Sequence, residues 1–243
     1  MSRALILQYL LGLVLMVLFA YMNANYPDKT WLFFILYFTA FMVIMMVVTG
    51  RHARSVLRDL EEVKSGEILY SSKPDEVLKL REKDFQLTQP ELMAQFKASM
   101  IPLLSLVVFI LVFYIPGFRE FFTGLGKSMA LDEKTANFLS FLALYGFFYA
   151  FSLATGLYAR RLQSKTGSLI IATSYTVTSK GIIVDERTPV KFPWKGDIIV
   201  DSRRKFVQLN ITQQIMGTSI TQKIRLYNPE PSKLANILKS YKA

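Results

Sequence analysis

Few residues in this chain carry side chains able to do bond-making chemistry. Of its 243 residues none is cysteine and one, His52, is histidine. The first count excludes disulfides, thiolate nucleophiles, haem attachment and cysteine-ligated zinc. The second leaves no partner for a metal site or a hydrolytic triad. His52 sits beside Arg51 and near Arg54, where a solvated imidazole close to a membrane surface is the plain reading. Glu61/Glu62 and Asp75/Glu76 are carboxylate pairs only in sequence. Successive helical side chains point apart, so neither pair has the geometry of a general acid and base. Gly124-Leu125-Gly126-Lys127-Ser128 has the composition of a phosphate loop without its full spacing or a preceding strand. No catalytic residue, cofactor site or metal site is assigned, and the chain reads as a non-enzyme.

The side chain that does recur is the cation. Lys and Arg number 29 against 18 acids, a formal net charge of +11. From Lys165 to Ala243 there are 13 bases against five acids, and Arg203, Arg204 and Lys205 are consecutive. Near an anionic leaflet each basic residue within reach is worth about 1 kcal/mol. This run therefore predicts contact with lipid headgroups or with another polyanion such as ribosomal RNA. Lys180 and Lys195 are weaker candidates for the same patch. A solvated tip that merely protects a sheet edge is the competing reading. No specific binding to DNA is implied.

The elements that position these residues begin with the membrane. The chain is 52% hydrophobic, with only 19% charged residues and a mean hydropathy of +0.30, outside the usual balance of a soluble domain. About 20 apolar residues at 1.5 Å rise cross the hydrocarbon of a bilayer. Four uncharged blocks qualify: Ala4–Met22, Trp31–Thr49, Ala98–Phe118 and Ala136–Ala159. The first is too long, and its flank too bulky, for a cleaved signal peptide. Loop charge sets orientation. Arg3, the Arg51–Ser99 loop and the stretch after the fourth block hold 13 bases; the opposite loops hold four. A multi-pass protein of the cell membrane with both termini cytoplasmic follows. No ionisable residue lies inside the blocks, which argues against a pump or proton relay. Ser105, Asn137, Ser140, Ser152 and Thr155 read as contacts between helices, and Gly12, Gly146 and Gly156 as close-packing positions.

The loop 51–99 reads as a cytoplasmic helical hairpin. Val56, Leu57, Leu60 and Val63 form one helical stripe, Ser71-Ser72-Lys73-Pro74 a polar link, and Thr88-Gln89-Pro90-Glu91 a second helix start. Leu92, Met93, Phe96 and Met100 then line one face, followed by Ser105 in the third block. These five are candidate contacts for a protein partner or client chain, methionine being adaptable in such a role. Packing of the two helices on each other is the simpler explanation.

After Lys165 the pattern becomes β. Seven short strands are expected: Leu169–Ala172, Tyr175–Thr178, Ile182–Asp185, Val190–Trp194, Asp197–Asp201, Phe206–Ile211 and Ile220–Leu226. Ser202–Lys205 and Thr212–Ser219 are hairpin tips. A last helix capped by Ser232 carries Leu234, Ile237, Leu238 and Tyr241 on one face. A bent antiparallel sheet or small barrel closed by that helix buries all these faces. The expected division is 1–50 for helices one and two, 51–99 for the hairpin, 100–162 for helices three and four, and 163–243 for the β domain.

Tyr175-Thr-Val-Thr-Ser-Lys-Gly-Ile182, Phe192-Pro-Trp-Lys-Gly-Asp-Ile198 and Ile224-Arg-Leu-Tyr227 resemble a bacterial-type pleckstrin-homology (PH) domain. That resemblance covers about a quarter to a third of the chain and implies a lipid- or partner-binding module. As a whole the chain is similar to an archaeal family of four-span membrane proteins, which implies no activity. Spans two to four, with Glu91-Leu-Met-Ala-Gln95-Phe-Lys97-Ala-Ser-Met100-Ile-Pro102 leading into span three, also resemble the core of Oxa1/YidC-type insertases. The extra first span, and the lack of an arginine inside a span, depart from that pattern. The function expected is binding or scaffolding at the cytoplasmic membrane surface; the alternative is insertion of nascent membrane proteins.

Overall fold

The structure, a computed structural model, describes residues 3–129, 132–215 and 218–242. Its elements in chain order are α1 (Arg3–Asn25), a single 3-10 turn (Pro27–Lys29), α2 (Thr30–Lys64), β1 (Ile68–Ser71), α3 (Pro74–Met100), α4 (Leu103–Tyr114), α5 (Pro116–Met129), α6 (Glu133–Thr166), β2 (Ser168–Ile171), β3 (Tyr175–Thr178), β4 (Gly181–Val184), β5 (Thr188–Lys191), β6 (Gly196–Asp201), β7 (Phe206–Ile215), β8 (Thr218–Tyr227) and α7 (Pro231–Lys239). They form two units. One takes in residues up to Ile44 with Lys97–Leu162, the other Met45–Phe96, Gln163–Ile215 and Ser219–Ala243.

The first unit is helical and exposes apolar side chains around its helices, among them Leu7, Leu11 and Val14 of α1 and Leu104, Val107 and Leu111 of α4. Among the described residues Glu133–Ser164, 32 residues with an 18-residue stretch of mean hydropathy 1.6, is long and apolar enough by itself to cross a membrane. Tyr9–Asn25 with Pro27–Ala40, and Pro74–Met100 with Leu103–Val112, reach that standard only as bent pairs. The block expected to run unbroken from Ala98 to Phe118 is interrupted at Ile101–Pro102 and again at Ile115. Pro102 and Pro116 are the cause: each lacks a backbone donor and disfavours helical backbone in the residue before it. The Gly124–Ser128 run lies inside α5 and forms no loop.

Close approaches hold these helices together. A Cβ at Gly12 would stand 3.0 Å from Tyr149 Cε2, and one at Gly126 would stand 2.3 Å from the Ala136 carbonyl oxygen. Tyr149 donates to the Tyr9 carbonyl at 2.6 Å, and Asn23 to the Tyr145 hydroxyl. Phe118, Phe122 and Phe147 pack with tilted rings, their centroids 5.6–5.9 Å apart. Gly146 meets only Met16 Sδ at 4.0 Å and Gly156 nothing within 4 Å, so of the three glycines expected at close-packing positions Gly12 alone is one. Ser105, Ser140 and Thr155 return hydrogen bonds to carbonyls of Pro102, Ala136 and Phe151. They satisfy their own turns, with Ser140 also reaching the Thr123 carbonyl at 3.5 Å.

The second unit is built on two four-stranded sheets, ordered β1-β3-β4-β5 and β2-β8-β7-β6. The seven tail strands form close to their expected positions. An eighth, β1, comes from the 51–99 segment and pairs with β3. Its four residues are mostly exposed and only Tyr70 packs inward, stacked on Tyr175 at 5.9 Å, so it carries almost no alternation to read. β2 lies parallel to β8, against the expectation of a wholly antiparallel domain. β7 and β8 are each ten residues long, longer than expected, and the centre of the expected Thr212–Ser219 tip lies outside the described residues. Val177, Ile182, Leu209, Ile224 and Leu226 meet α7 through Leu234 and Leu238 in a fully buried core. α7 starts at Pro231, not after Ser232, because proline's fixed φ suits a first helical position.

The 51–99 segment belongs to this same unit and is not a separate hairpin. The end of α2 is fastened to the first sheet: Val63 is fully buried, and Thr178 donates to its carbonyl at 2.9 Å. Lys191 pairs with Asp59 at 3.0 Å and Glu62 at 2.6 Å. A Cβ at Gly181 would come within 2.9 Å of Val63 Cγ2. α3 runs through Thr88-Gln89-Pro90-Glu91 without a break. Thr88 does not cap; its hydroxyl donates to the Asp84 side chain one turn back at 2.9 Å.

Candidate functional site

Beyond Val77 and Leu80, which pack in the core, the inward side of α3 is polar. Asp84, Thr88, Glu91 and Gln95 recur four, three and four residues apart and so share one helical face. Gln95 accepts the Leu169 amide at 2.8 Å. The other three meet two arginines from the second sheet. Arg204 grips Asp84 with both ends of its guanidinium, Nε to Oδ1 at 2.6 Å and Nη2 to Oδ2 at 2.8 Å, and reaches Glu91 at 3.3 Å. Arg225, on β8, donates to Glu91 at 2.6 Å and to Gln208 Oε1 at 2.9 Å. The Thr88 hydroxyl accepts from Arg204 at 2.9 Å and from Arg225 at 3.2 Å. Tyr227 donates to Asp84 at 2.5 Å. Both guanidinium groups lie over the Phe206 ring, at 5.0 and 4.3 Å from its centroid, a favourable placement for a desolvated cation.

Two cations meet two carboxylates, so the cluster is neutral. Its centre is dry: the side chains of Asp84 and Arg225 are 4% and 3% exposed. Burial pushes the Asp84 carboxyl up, but hydrogen bonds from Arg204, Tyr227 and Thr88, with the Arg204 charge, hold it below the ordinary aspartate range. Asp84 in turn raises Arg204. Burial, then Asp84, raise the Tyr227 phenol. Every hydroxyl here is engaged in holding the carboxylate. The arrangement is a clamp that fixes the rotation of α3 against the sheet. Among the described residues no group of three or more His, Asp or Glu could hold a metal ion.

Two cavities flank the clamp. One, of about 150 Å³, is lined by Leu80, Lys83, Leu87, Arg203, Lys205 and the clamp pair Asp84 and Arg204. The other, of about 290 Å³, is lined by Leu78, Phe85, Leu92 and Ile171, with Arg81, Glu82, Thr88 and Tyr227. A family model described as a predicted membrane protein, DUF2208, matches residues 7–241. The chain belongs to the DUF2208 family. No curated protein and no solved structure matches it.

In this DUF2208 protein the expected basic patch divides. Arg203 and Lys205 are exposed at the turn between β6 and β7, where Asp201 accepts the backbone amides of residues 203 and 204 and Lys205 takes a φ of 59°. Arg204, expected beside them as a lipid contact, is turned inward because Asp84 and Glu91 neutralise it there. Lys180 is exposed but donates to Ser65 at the end of α2 at 2.8 Å. Lys195 is exposed between β5 and β6, and neither lysine lines the Arg203–Lys205 cavity. Leu92, Met93 and Phe96 are exposed on α3, not packed in a hairpin as the simpler reading had it. Met100 ends α3, and Ser105 lies in α4 with its hydroxyl on the Pro102 carbonyl. His52 lies among residues whose side chains are not described. Sequence reasoning missed Lys83 and the whole clamp. The signal was present as a polar row at helical spacing opposite an apolar one, obscured by taking Thr88-Gln89-Pro90-Glu91 for a helix start.

Proposed function

We propose that this DUF2208 protein is a membrane-anchored binding platform whose cytoplasmic unit captures a phosphate-bearing polyanion between α3 and the β6–β7 turn. Four spans and cytoplasmic termini, as the loop charges require, are part of this reading. The observation that carries it is the small cavity bearing Lys83, Arg203 and Lys205. Among the described residues no ion pair or hydrogen bond engages these three side chains. Three unpaired cations around one concavity repel one another and are relieved by an anion. The neutral clamp behind them fixes the helix that carries Lys83. Among the described residues the other side chains lining this cavity are Leu80, Leu87 and the clamp pair Asp84 and Arg204.

The test uses the full chain in zwitterionic nanodiscs. Binding of a short fluorescent RNA is measured by anisotropy from low to high salt, beside nanodiscs that contain anionic lipid. The triple variant Lys83→Ala/Arg203→Ala/Lys205→Ala is expected to bind more than tenfold more weakly. Its log–log salt slope should fall by about 2, near the 0.7 per phosphate contact of single strands. Competition by anionic lipid in the same disc would assign the site to headgroups. Equal affinity and equal slope for the variant and the parent would sink the reading.

A further inference from the structure

α3 buries Val77 in the core and packs Leu80 against it, but from Asp84 to Gln95 its inward face is polar. A helix packed on a water-soluble domain buries its apolar stripe and shows its polar one. Here Asp84, Thr88, Glu91 and Gln95 face the sheet. Leu78, Phe85, Leu92 and Phe96, spaced seven, seven and four residues apart on another face, are 51%, 55%, 36% and 56% exposed. The clamp prevents the helix from rolling to hide them. Leu78, Phe85 and Leu92 also wall the 290 Å³ cleft backed by Ile171, so the surface is indented as well as apolar.

We infer that this outward face of α3 docks on the cytoplasmic leaflet of the bilayer that the protein spans. Three observations choose lipid over a protein partner. Lys79 and Lys97 follow Leu78 and Phe96 directly, so both lie on one flank of the stripe, and both are exposed. Lysines beside leucine and phenylalanine are the pattern of helices that lie in the headgroup–acyl boundary. Arg81 adds a cation at the cleft, where Glu82 is the one acid. The chain leaves α3 through Ile101–Pro102 straight into the uncharged α4, so this helix is tethered where a leaflet must be close. The leaflet takes the leucine and phenylalanine side chains to the depth of the first acyl carbons. Lys79 and Lys97 meet the phosphates, and the cleft receives chain ends. The stripe shares no lining residue with the polyanion cavity, to which α3 contributes Leu80, Lys83, Asp84 and Leu87.

The absence of cysteine makes the test direct. Single variants Leu78→Cys, Phe85→Cys, Leu92→Cys and, as control, Leu87→Cys are spin-labelled in nanodiscs holding a fifth or so of anionic lipid. Power saturation compares access of oxygen with access of a water-soluble nickel chelate. Oxygen-to-nickel ratios several-fold higher at 78, 85 and 92 than at 87 are expected. Adding Lys79→Glu/Lys97→Glu should lower the ratio at 85. Nickel access at all four positions would overturn the inference, since the face would then lie in water. Immobilised labels shielded from both reagents would overturn it too, because a second copy or a client helix would then be the occupant.

Discussion

Asp84 and Arg204 concentrate the chemistry of the second unit. Each carries a charge that is tolerable in a dry site only because the other is present, so removing one partner costs more than the pair is worth. Arg204→Ala should destabilise the unit by about 3 kcal/mol, the low end for a broken buried pair, since Arg204 keeps some solvent contact. Unfolding can be followed through the buried Trp194 in a Trp31→Phe background. The double variant Asp84→Leu/Arg204→Met should recover most of the loss, because no orphan charge remains. Equal losses in the single and double variants would mean that packing, not charge, holds α3. The pH dependence has a definite sign. The folded state keeps Asp84 ionised to lower pH than the unfolded state does. Its contribution is therefore complete above pH about 4 and fades as pH falls below that, through the folded-state value. Asp84→Asn should remove this acid sensitivity along with much of the stability at neutral pH.

At the scale of elements, backbone approach decides what a side chain may be. Gly126 of α5 lies so close to α6 that an added Cβ would stand 2.3 Å from the Ala136 carbonyl oxygen and nearer still to Ser140 Oγ. Gly156 has nothing within 4 Å. Gly126→Val should lower the thermal midpoint in detergent by several degrees. Gly156→Ala should leave it unchanged or raise it slightly, since alanine is the better helix former. Equal behaviour of the two variants would refute the close α5–α6 contact. α3 shows the complementary rule. Pro90 sits inside it, and the helix continues because the clamp and the Gln95–Leu169 bond fix the turns after the proline. Local grammar favoured a break there, and tertiary contacts overrode it.

For the whole molecule the first question is topology, and the cysteine-free sequence answers it cleanly. Single cysteines replacing Ser71, Ser128 and Ser202, all exposed, can be probed with a membrane-impermeant maleimide on intact cells. Labelling of 128 alone is expected if both termini are cytoplasmic; labelling of 71 or 202 would reverse the orientation. Part of this protein is determined by sequence alone. Apolar blocks mark the chain as a membrane protein, and period-two alternation with turn residues locates the tail strands to within a few positions. These properties are local sums over neighbouring residues, which is why they can be read without coordinates. The rest required tertiary structure. Whether Arg204 meets solvent depends on Asp84 and Glu91, more than a hundred residues away in the chain. β1 is a strand only because β3 offers it an edge. α3 shows its apolar side outward only because the sheet supplies two arginines to its polar side. A row of polar and a row of apolar residues on one helix name two faces, and the partner across the interface decides which of them is the inside.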